Sequence, residues 1–350
     1  MAFHAGVLQF LAEHDAMERV EKISSVSGGS LLVGLLLQLN GMRWPTGGEY
    51  ESRVLPKLEE TLTNKDLQRD AICAVLRPTN WRFALSRANV LASAIGSTWG
   101  ITASLDDVPA TPNWSINATT AETGKRARFK GSELRDWVLG TTRVKGFPLR
   151  DAMAISAALP GLVGPYVLRT SDFSWDLPMY TSTEDARVAQ ERFSRIHLYD
   201  GGVYDNLGLE AFFDAGHGPK PGMDGAVVAS DGGAPLASGF DLGRLNVFRL
   251  KRVADIMSDQ VRALRVRGLV AFAMKEQGRA AYLRIGATTA EIASQFHLEC
   301  PAGSWLSKEQ VRLAAQYPTN LCRLPADMFD LLRRHGHESA QIAQHVFGYL

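Results

Sequence analysis

The sequence predicts an α/β fold: three α/β/α layers, with a mostly parallel central sheet between helices, in one domain spanning residues 1–350. Three observations carry that expectation. β-prone runs alternate with helical ones along much of the chain. A tight glycine turn, Ser27-Gly28-Gly29-Ser30, joins a short β-prone run to an apolar helical stretch. The composition is globular, with 45% apolar and 21% charged residues over 350 positions, enough chain for a sizeable core.

The elements follow in order. Apolar residues at Phe3, Val7, Leu8, Phe10 and Leu11 have helical spacing, and His14-Asp15 closes that helix. Ile23 to Val26 reads as a strand, and Leu31 to Leu39 as a buried helix. From about residue 41 to 110 the pattern loosens, punctuated by Trp44-Pro45, Gly47-Gly48 and Pro78-Thr79-Asn80. This reads as a helical insertion. Its aromatics Trp44, Trp81, Phe83 and Trp99 are candidates for an acyl channel or lid, against the simpler reading of core aromatics. Asn113 to Thr119 and Arg128-Phe129 resume as strands, and Asp151 to Ala158 is a small-residue helix stopped by Pro160-Gly161. Arg195 to Tyr199 is a strand ending at Asp200, and Gly225 to Ala229 a buried strand ending at Ser230-Asp231. A long amphipathic helix over Val253 to Met274, a strand over Ala281 to Ile285 and a helical tail from Ser307 complete the order. No internal repeat is present.

Several function classes are disfavoured. The net charge is +1, and the densest basic patch, Arg262, Arg265 and Arg267, is too sparse for a nucleic-acid arm. Cys73, Cys300 and Cys322 lie far apart, without CxxC or Cys/His ligand spacing. They read as reduced, buried thiols, which fits a cytoplasmic setting. No apolar run reaches the roughly 18–20 residues that span a bilayer. No His/Asp/Glu cluster has metal-ligand spacing.

Chemistry concentrates at two strand ends. In open α/β sheets ligands bind beyond the carboxyl ends of the strands, which selects Val26 leading into Ser27 and Tyr199 leading into Asp200. A serine hydroxyl becomes a nucleophile when a sharp strand-to-helix turn exposes it beside a base. In Ser25-Val26-Ser27-Gly28-Gly29 the first glycine of the usual elbow is Ser25, so the match is one residue short. Gly28 and Gly29 are read as relieving crowding at the turn, and the following helix directs its N-terminal amides at the site. The same residues as a phosphate loop would need a following Lys-Ser/Thr pair, which Ser30-Leu31 does not supply. Asp200-Gly201-Gly202 places a carboxylate beside glycine backbone, and its bland alternative is an Asx-type turn. Ser230-Asp231-Gly232-Gly233 has the same form and is the rival base. A Ser-His-Asp triad is the mechanistic alternative, with His335 or His337 as its histidine. His197 lies three residues before Asp200, and that odd spacing turns it to the other face of its strand.

Ser25 to Ser30 together with Asp200 to Gly208 resemble the patatin-like phospholipase family, which is related to the cytosolic phospholipase A2 catalytic domain. Pro112 to Phe129, Ala154 to Pro165 and Pro318 to Leu321 agree with the same family, in order, across most of the chain. The resemblance implies a Ser27–Asp200 dyad working through an acyl-enzyme, with Gly28 and Gly29 at the elbow and oxyanion position and Gly201 and Gly202 as motif support. It implies phospholipase A, lysophospholipase or esterase activity on phospholipids or other acyl esters, without a cofactor. Transient membrane-surface contact, no nucleic acid, and a cytoplasmic or membrane-peripheral location complete that expectation. In the family a glycine-rich oxyanion loop precedes the first helix, whereas this chain begins at Met1-Ala2-Phe3 inside that helix. The resemblance therefore also leaves open a weakly active truncated form, or a non-catalytic lipid-binding or interaction module.

Overall fold

The computed structural model describes residues 1–76, 87–161, 163–176, 184, 191–214, 216–236, 238–239 and 248–350, the last range without the side chains of 248–251. Trp81 and Phe83 lie outside the described residues. The chain forms two compact units. The first comprises Met1, Leu11–Gly208 and Thr319–Phe329; the second comprises Ala2–Phe10, Leu209–Pro318 and Asp330–Leu350.

The first unit is built on one eight-stranded sheet. Its strands are β1 (Lys22–Ser25), β2 (Asn113–Thr120), β3 (Lys125–Lys130), β4 (Glu133–Asp136), β5 (Gly140–Arg143), β6 (Tyr166–Arg169), β7 (Trp175–Asp176) and β8 (Arg195–Asp200). The order is β6-β8-β2-β3-β4-β5-β7, with β1 also paired to β2. The expected mostly parallel sheet is corrected here: in this sheet β1–β2 is the one parallel pair among the described residues, and every other pairing is antiparallel. The connections explain the difference. Parallel neighbours need a crossover of a dozen or more residues, whereas a short turn returns the chain antiparallel. Gly131-Ser132 alone joins β3 to β4, and Trp137 to Leu139 joins β4 to β5. Asp136 closes the second turn, its Oδ1 accepting from the Val138 and Leu139 amides at 2.8 and 3.0 Å. The strand-and-helix alternation thus gives way to a meander between residues 113 and 143.

Helix α2 (Gly28–Leu39) is apolar on all sides, and Leu31 to Leu37 are buried throughout. A helix without a polar face belongs inside. Residues Gly47–Glu49 (α3), Leu55–Asn64 (α4), Leu67–Val75 (α5) and Ala88–Trp99 (α6) are helical. Trp44 is packed with its indole N–H on the Met17 carbonyl at 2.9 Å, and Trp99 is buried. Helix α7 (Leu149–Ser156) buries Ala152 to Ser156 and packs against α2, β2 and β8. The short helix α8 (Gly202–Asp205) follows β8.

In the second unit, the two-residue strands β9 (Phe213–Asp214) and β10 (Gly218–Pro219) pair antiparallel. β11 (Val227–Asp231) and β12 (Ala280–Arg284) pair in parallel, and α9 (Phe248–Lys275) packs on β12. Helices α10 (Thr289–Gln295) and α11 (Lys308–Gln316) each begin in a capping box, Thr288 with Glu291 and Ser307 with Gln310. Helix α12 is Ala326–Phe347. The three cysteines are free, but exposed rather than buried: Cys73 projects from the solvent side of α5, and Cys300 and Cys322 lie outside helices and strands. No described helix is long and apolar enough to cross a membrane.

Candidate functional site

The sheet register brings two distant segments together. β1 runs parallel to β2 and ends with Ser25 opposite Ile116. β8 runs antiparallel to β2 and ends with Asp200 opposite Ala118. β3 occupies the other edge of β2, so β1 and β8 share one edge and run head-on toward Asn117. Ser27 and Asp200 follow strand carboxyl ends, as expected, but the strands oppose each other instead of lying side by side. Asn117 fastens the junction: its Nδ2 donates to Ser24 Oγ at 2.8 Å and to the Ser25 carbonyl at 2.9 Å. Ser24 Oγ in turn donates to the Gly208 carbonyl at 2.7 Å, tying the end of the Asp200 loop to β1.

Ser27 sits at φ 53°, ψ −124°, a conformation that a residue with a side chain adopts only under constraint. The constraint is visible. The Ser27 amide donates to the Ser156 carbonyl at 3.0 Å and lies 3.2 Å from Ser156 Oγ. The Ser27 carbonyl accepts from the Ser30 and Leu31 amides at 2.9 and 3.1 Å, starting α2. Its side chain does not cap the helix, so the hydroxyl is left for other partners. A methyl group at Gly28 or Gly29 would meet nothing closer than 3.9 or 3.8 Å, so crowding within the chain does not explain these glycines. That corrects the expected reason for them: they leave open space beside the serine.

Behind Ser27 runs a buried chain of hydroxyls. Trp114 Nε1 donates to Ser25 Oγ at 2.7 Å, Ser25 Oγ is 2.8 Å from Ser30 Oγ, and Ser30 Oγ is 2.8 Å from Ser156 Oγ. An indole N–H only donates, so Ser25 Oγ accepts from Trp114, while in each serine pair either hydroxyl can be the donor. The chain thus anchors the group that holds the Ser27 amide. Sequence reasoning gave no role to Ser156, Ser30, Trp114 or Asn117, although all four lie within the stretches that carry the family resemblance.

Asp200 is buried, 3% exposed, while Ser27 is half-buried. The Asp200 amide donates to the Ala158 carbonyl at 3.0 Å, and its carbonyl accepts from Thr119 Oγ1 at 2.9 Å. Oδ1 accepts from the Gly202 amide at 2.7 Å, and the Ser27 side chain lies close enough to the carboxylate to favour its charge. Asp200 therefore makes the Asx-type turn and meets the serine as well. Burial pushes its pKa from 3.8 up to about 6, against the opposing pull of the Gly202 amide and the Ser27 side chain. Gly201 is required sterically, because a Cβ there would lie 2.6 Å from the Asn117 carbonyl oxygen. At Gly202 a Cβ would crowd Asp200 Oδ1 at 3.1 Å.

The alternatives have other partners. Asp231 Oδ1 accepts from the Gly233 amide at 2.9 Å and Oδ2 from the Tyr282 hydroxyl at 2.7 Å, with Arg262 Nη1 at 3.7 Å. His335 is buried, with Nε2 accepting from the Gly286 amide at 2.9 Å, and burial holds its pKa at about 4. His337 packs edge-on against Phe10. His197 is ion-paired with Glu122. No group of three or more potential metal ligands occurs among the described residues.

A strained serine at a strand-to-helix turn thus stands beside a buried aspartate on a glycine turn, an arrangement with the parts that nucleophilic catalysis by a serine requires. The model of the patatin-like phospholipase family matches residues 1–213, more than half of the chain, and the protein belongs to that family. The match spans both Ser27 and Asp200. No curated protein matches the chain.

Proposed function

We propose that the protein is a lipid acyl-ester hydrolase in which Ser27 is the nucleophile and Asp200 its base. The observation that carries this reading is that the half-buried Ser27 hydroxyl comes close enough to the buried Asp200 carboxylate to favour its ionised form. Ser27 Oγ attacks the ester carbonyl and its proton passes to Asp200. The tetrahedral adduct collapses, the C–O bond breaks, and the leaving alcohol takes the proton from Asp200. Water then attacks the acyl-serine, gives its proton to the same carboxylate, and releases the fatty acid as the proton returns to Ser27. The Ser27 amide is held by Ser156, so the Gly28 amide, at the first position of α2, is the elbow donor for the oxyanion. A base with a pKa of about 6 is largely ionised at pH 7 and still accepts a proton readily. Phospholipids or related acyl esters are the substrate class that family membership favours. Hydrolysis of a short-chain p-nitrophenyl ester by the wild type and by Ser27→Ala tests the reading. Loss of turnover in the variant is expected; equal rates contradict it.

A further inference from the structure

One face of the first unit's sheet carries a concentration of cations that the dyad does not use. Residues directly opposite one another across strands point to the same face. One row runs Ser115, Lys130, Glu133, Arg143 across β2 to β5. The next runs Asn117, Arg128, Arg135, Thr141, then Asp176 on β7. Arg126, opposite Thr119, begins a third. Five cations therefore share this face of β3, β4 and β5, and Glu133 is the one carboxylate those strands place on it.

Arg128 and Arg135 face each other directly across β3 and β4. A like-charged pair in that position destabilises a sheet unless something neutralises it. Glu133 does so only in part. It is committed to Arg135, at 2.8 Å from Nη2 and 3.1 Å from Nε, and Asp176 lies two strands beyond Arg135. Arg128 is part-buried, and burial together with repulsion from Arg126 and Arg135, only partly offset by Glu133, lowers its pKa to about 10. Lys130 is lowered for the same reasons. Beside Lys130, Glu133 and Arg143 opens a cavity of 480 Å³, also lined by Lys145. Its one further acid, Asp106, is already taken by the Ser132 hydroxyl and by the Gly146 amide at 2.6 Å.

We propose that Arg128 and Arg135, with Lys130 and Arg143 beside them, form a binding site for a phosphate group on this face of the sheet. Guanidinium N–H groups suit phosphate oxygens, and Arg135 keeps Nη1 beyond the Nε and Nη2 contacts it makes with Glu133, opposite the Arg128 guanidinium. The phosphate is that of an anionic lipid headgroup or a free phosphate. The site is separate from the dyad: Asp200 is opposite Ala118 and so lies on the other face, alternate to Asn117 and Arg128.

Thermal unfolding of the full chain in low-salt buffer, with inorganic phosphate titrated against chloride at equal ionic strength, tests the site. A saturable, phosphate-specific rise in Tm is expected for the wild type. Arg128→Gln relieves a repulsive pair and is expected to fold, with the apparent affinity for phosphate weakened about tenfold or more. Arg135→Gln provides an independent second variant. Sedimentation with phosphatidylcholine vesicles, with and without phosphatidic acid, separates the sources. Arg128-dependent capture by phosphatidic acid assigns the lipid headgroup; a Tm response without capture assigns free phosphate. The proposal is overturned if phosphate gives no more than chloride does, or if both variants respond like the wild type.

Discussion

The chain carries two Asp-Gly-Gly turns that are nearly the same locally and differ in what reaches them. Asp200-Gly201-Gly202 ends β8 and Asp231-Gly232-Gly233 ends β11. Both aspartates are buried, and each Oδ1 accepts from the amide two residues on, at 2.7 and 2.9 Å. At Asp231 the rest of the carboxylate meets a phenol and an arginine, which satisfy it. At Asp200 it meets the hydroxyl of a strained serine, with no cation to offset burial. A buried carboxylate that is fully partnered is a structural element, whereas one left short of partners retains basicity. The turn makes both; the partner decides the role.

The largest effect expected from breaking this contrast is on catalysis. Asp200→Asn should lower turnover of a short-chain ester by about 10²–10⁴-fold, the range for loss of a general base. Asp231→Asn should leave turnover within a few-fold of the wild type. Steady-state kinetics on the two variants distinguishes them.

Stability should move in opposite directions. Because the pKa of Asp200 is raised from 3.8 to about 6, the native state prefers the protonated acid. That stabilisation is complete below about pH 4 and is lost as pH rises through 6, so the ionised group costs about 3 kcal/mol at pH 7. Asp200→Asn should therefore raise stability at pH 7 by up to about 3 kcal/mol, with the gain fading toward pH 4. Asp231→Asn should instead cost about 2 kcal/mol by weakening the hydrogen bond from Tyr282 and removing the ion pair with Arg262. Urea unfolding at pH 4 and 7 reads both signs. The same pKa places the acid limb of kcat/KM near pH 6, with activity falling as Asp200 is protonated.

The glycines sharpen the comparison further. A Cβ at Gly201 would strike the Asn117 backbone at 2.6 Å, which cannot yield, and Gly201→Ala should cost about 1–3 kcal/mol. At Gly232 the nearest atom, 2.9 Å away, is His4 Nε2, a side-chain atom rather than backbone, so Gly232→Ala should cost less than Gly201→Ala. The hydroxyl chain behind Ser27 has no counterpart at the Asp231 turn among the described residues. Ser156→Ala should lower kcat by about tenfold at unchanged KM, because it loosens the support of Ser27 without touching substrate space.

These differences also mark what the sequence could disclose. The elbow at Ser27 and the strand-end aspartate at Asp200 were legible because each ends a β-prone run and is followed by two glycines. Their alternative at Asp231 was equally legible, since Tyr282 and Arg262 come from 51 and 31 positions further along the chain and leave no local trace. The sheet direction was misread because β4 and β5 are four residues each, too short to show alternation, and the Gly131-Ser132 turn, with Gly131 at φ 52°, was given no role. Ser156 was hidden in a run of small residues that reads as a packing surface.

The assignment of Ser27 and Asp200 is tested most directly by active-site labelling. The wild type, Asp200→Asn and Asp231→Asn would each be treated with a fluorophosphonate ester, digested and analysed by mass spectrometry. The account predicts a single adduct on Ser27 in the wild type and in Asp231→Asn, and little or none in Asp200→Asn. Labelling at another residue, or undiminished labelling of Ser27 in Asp200→Asn, would contradict it.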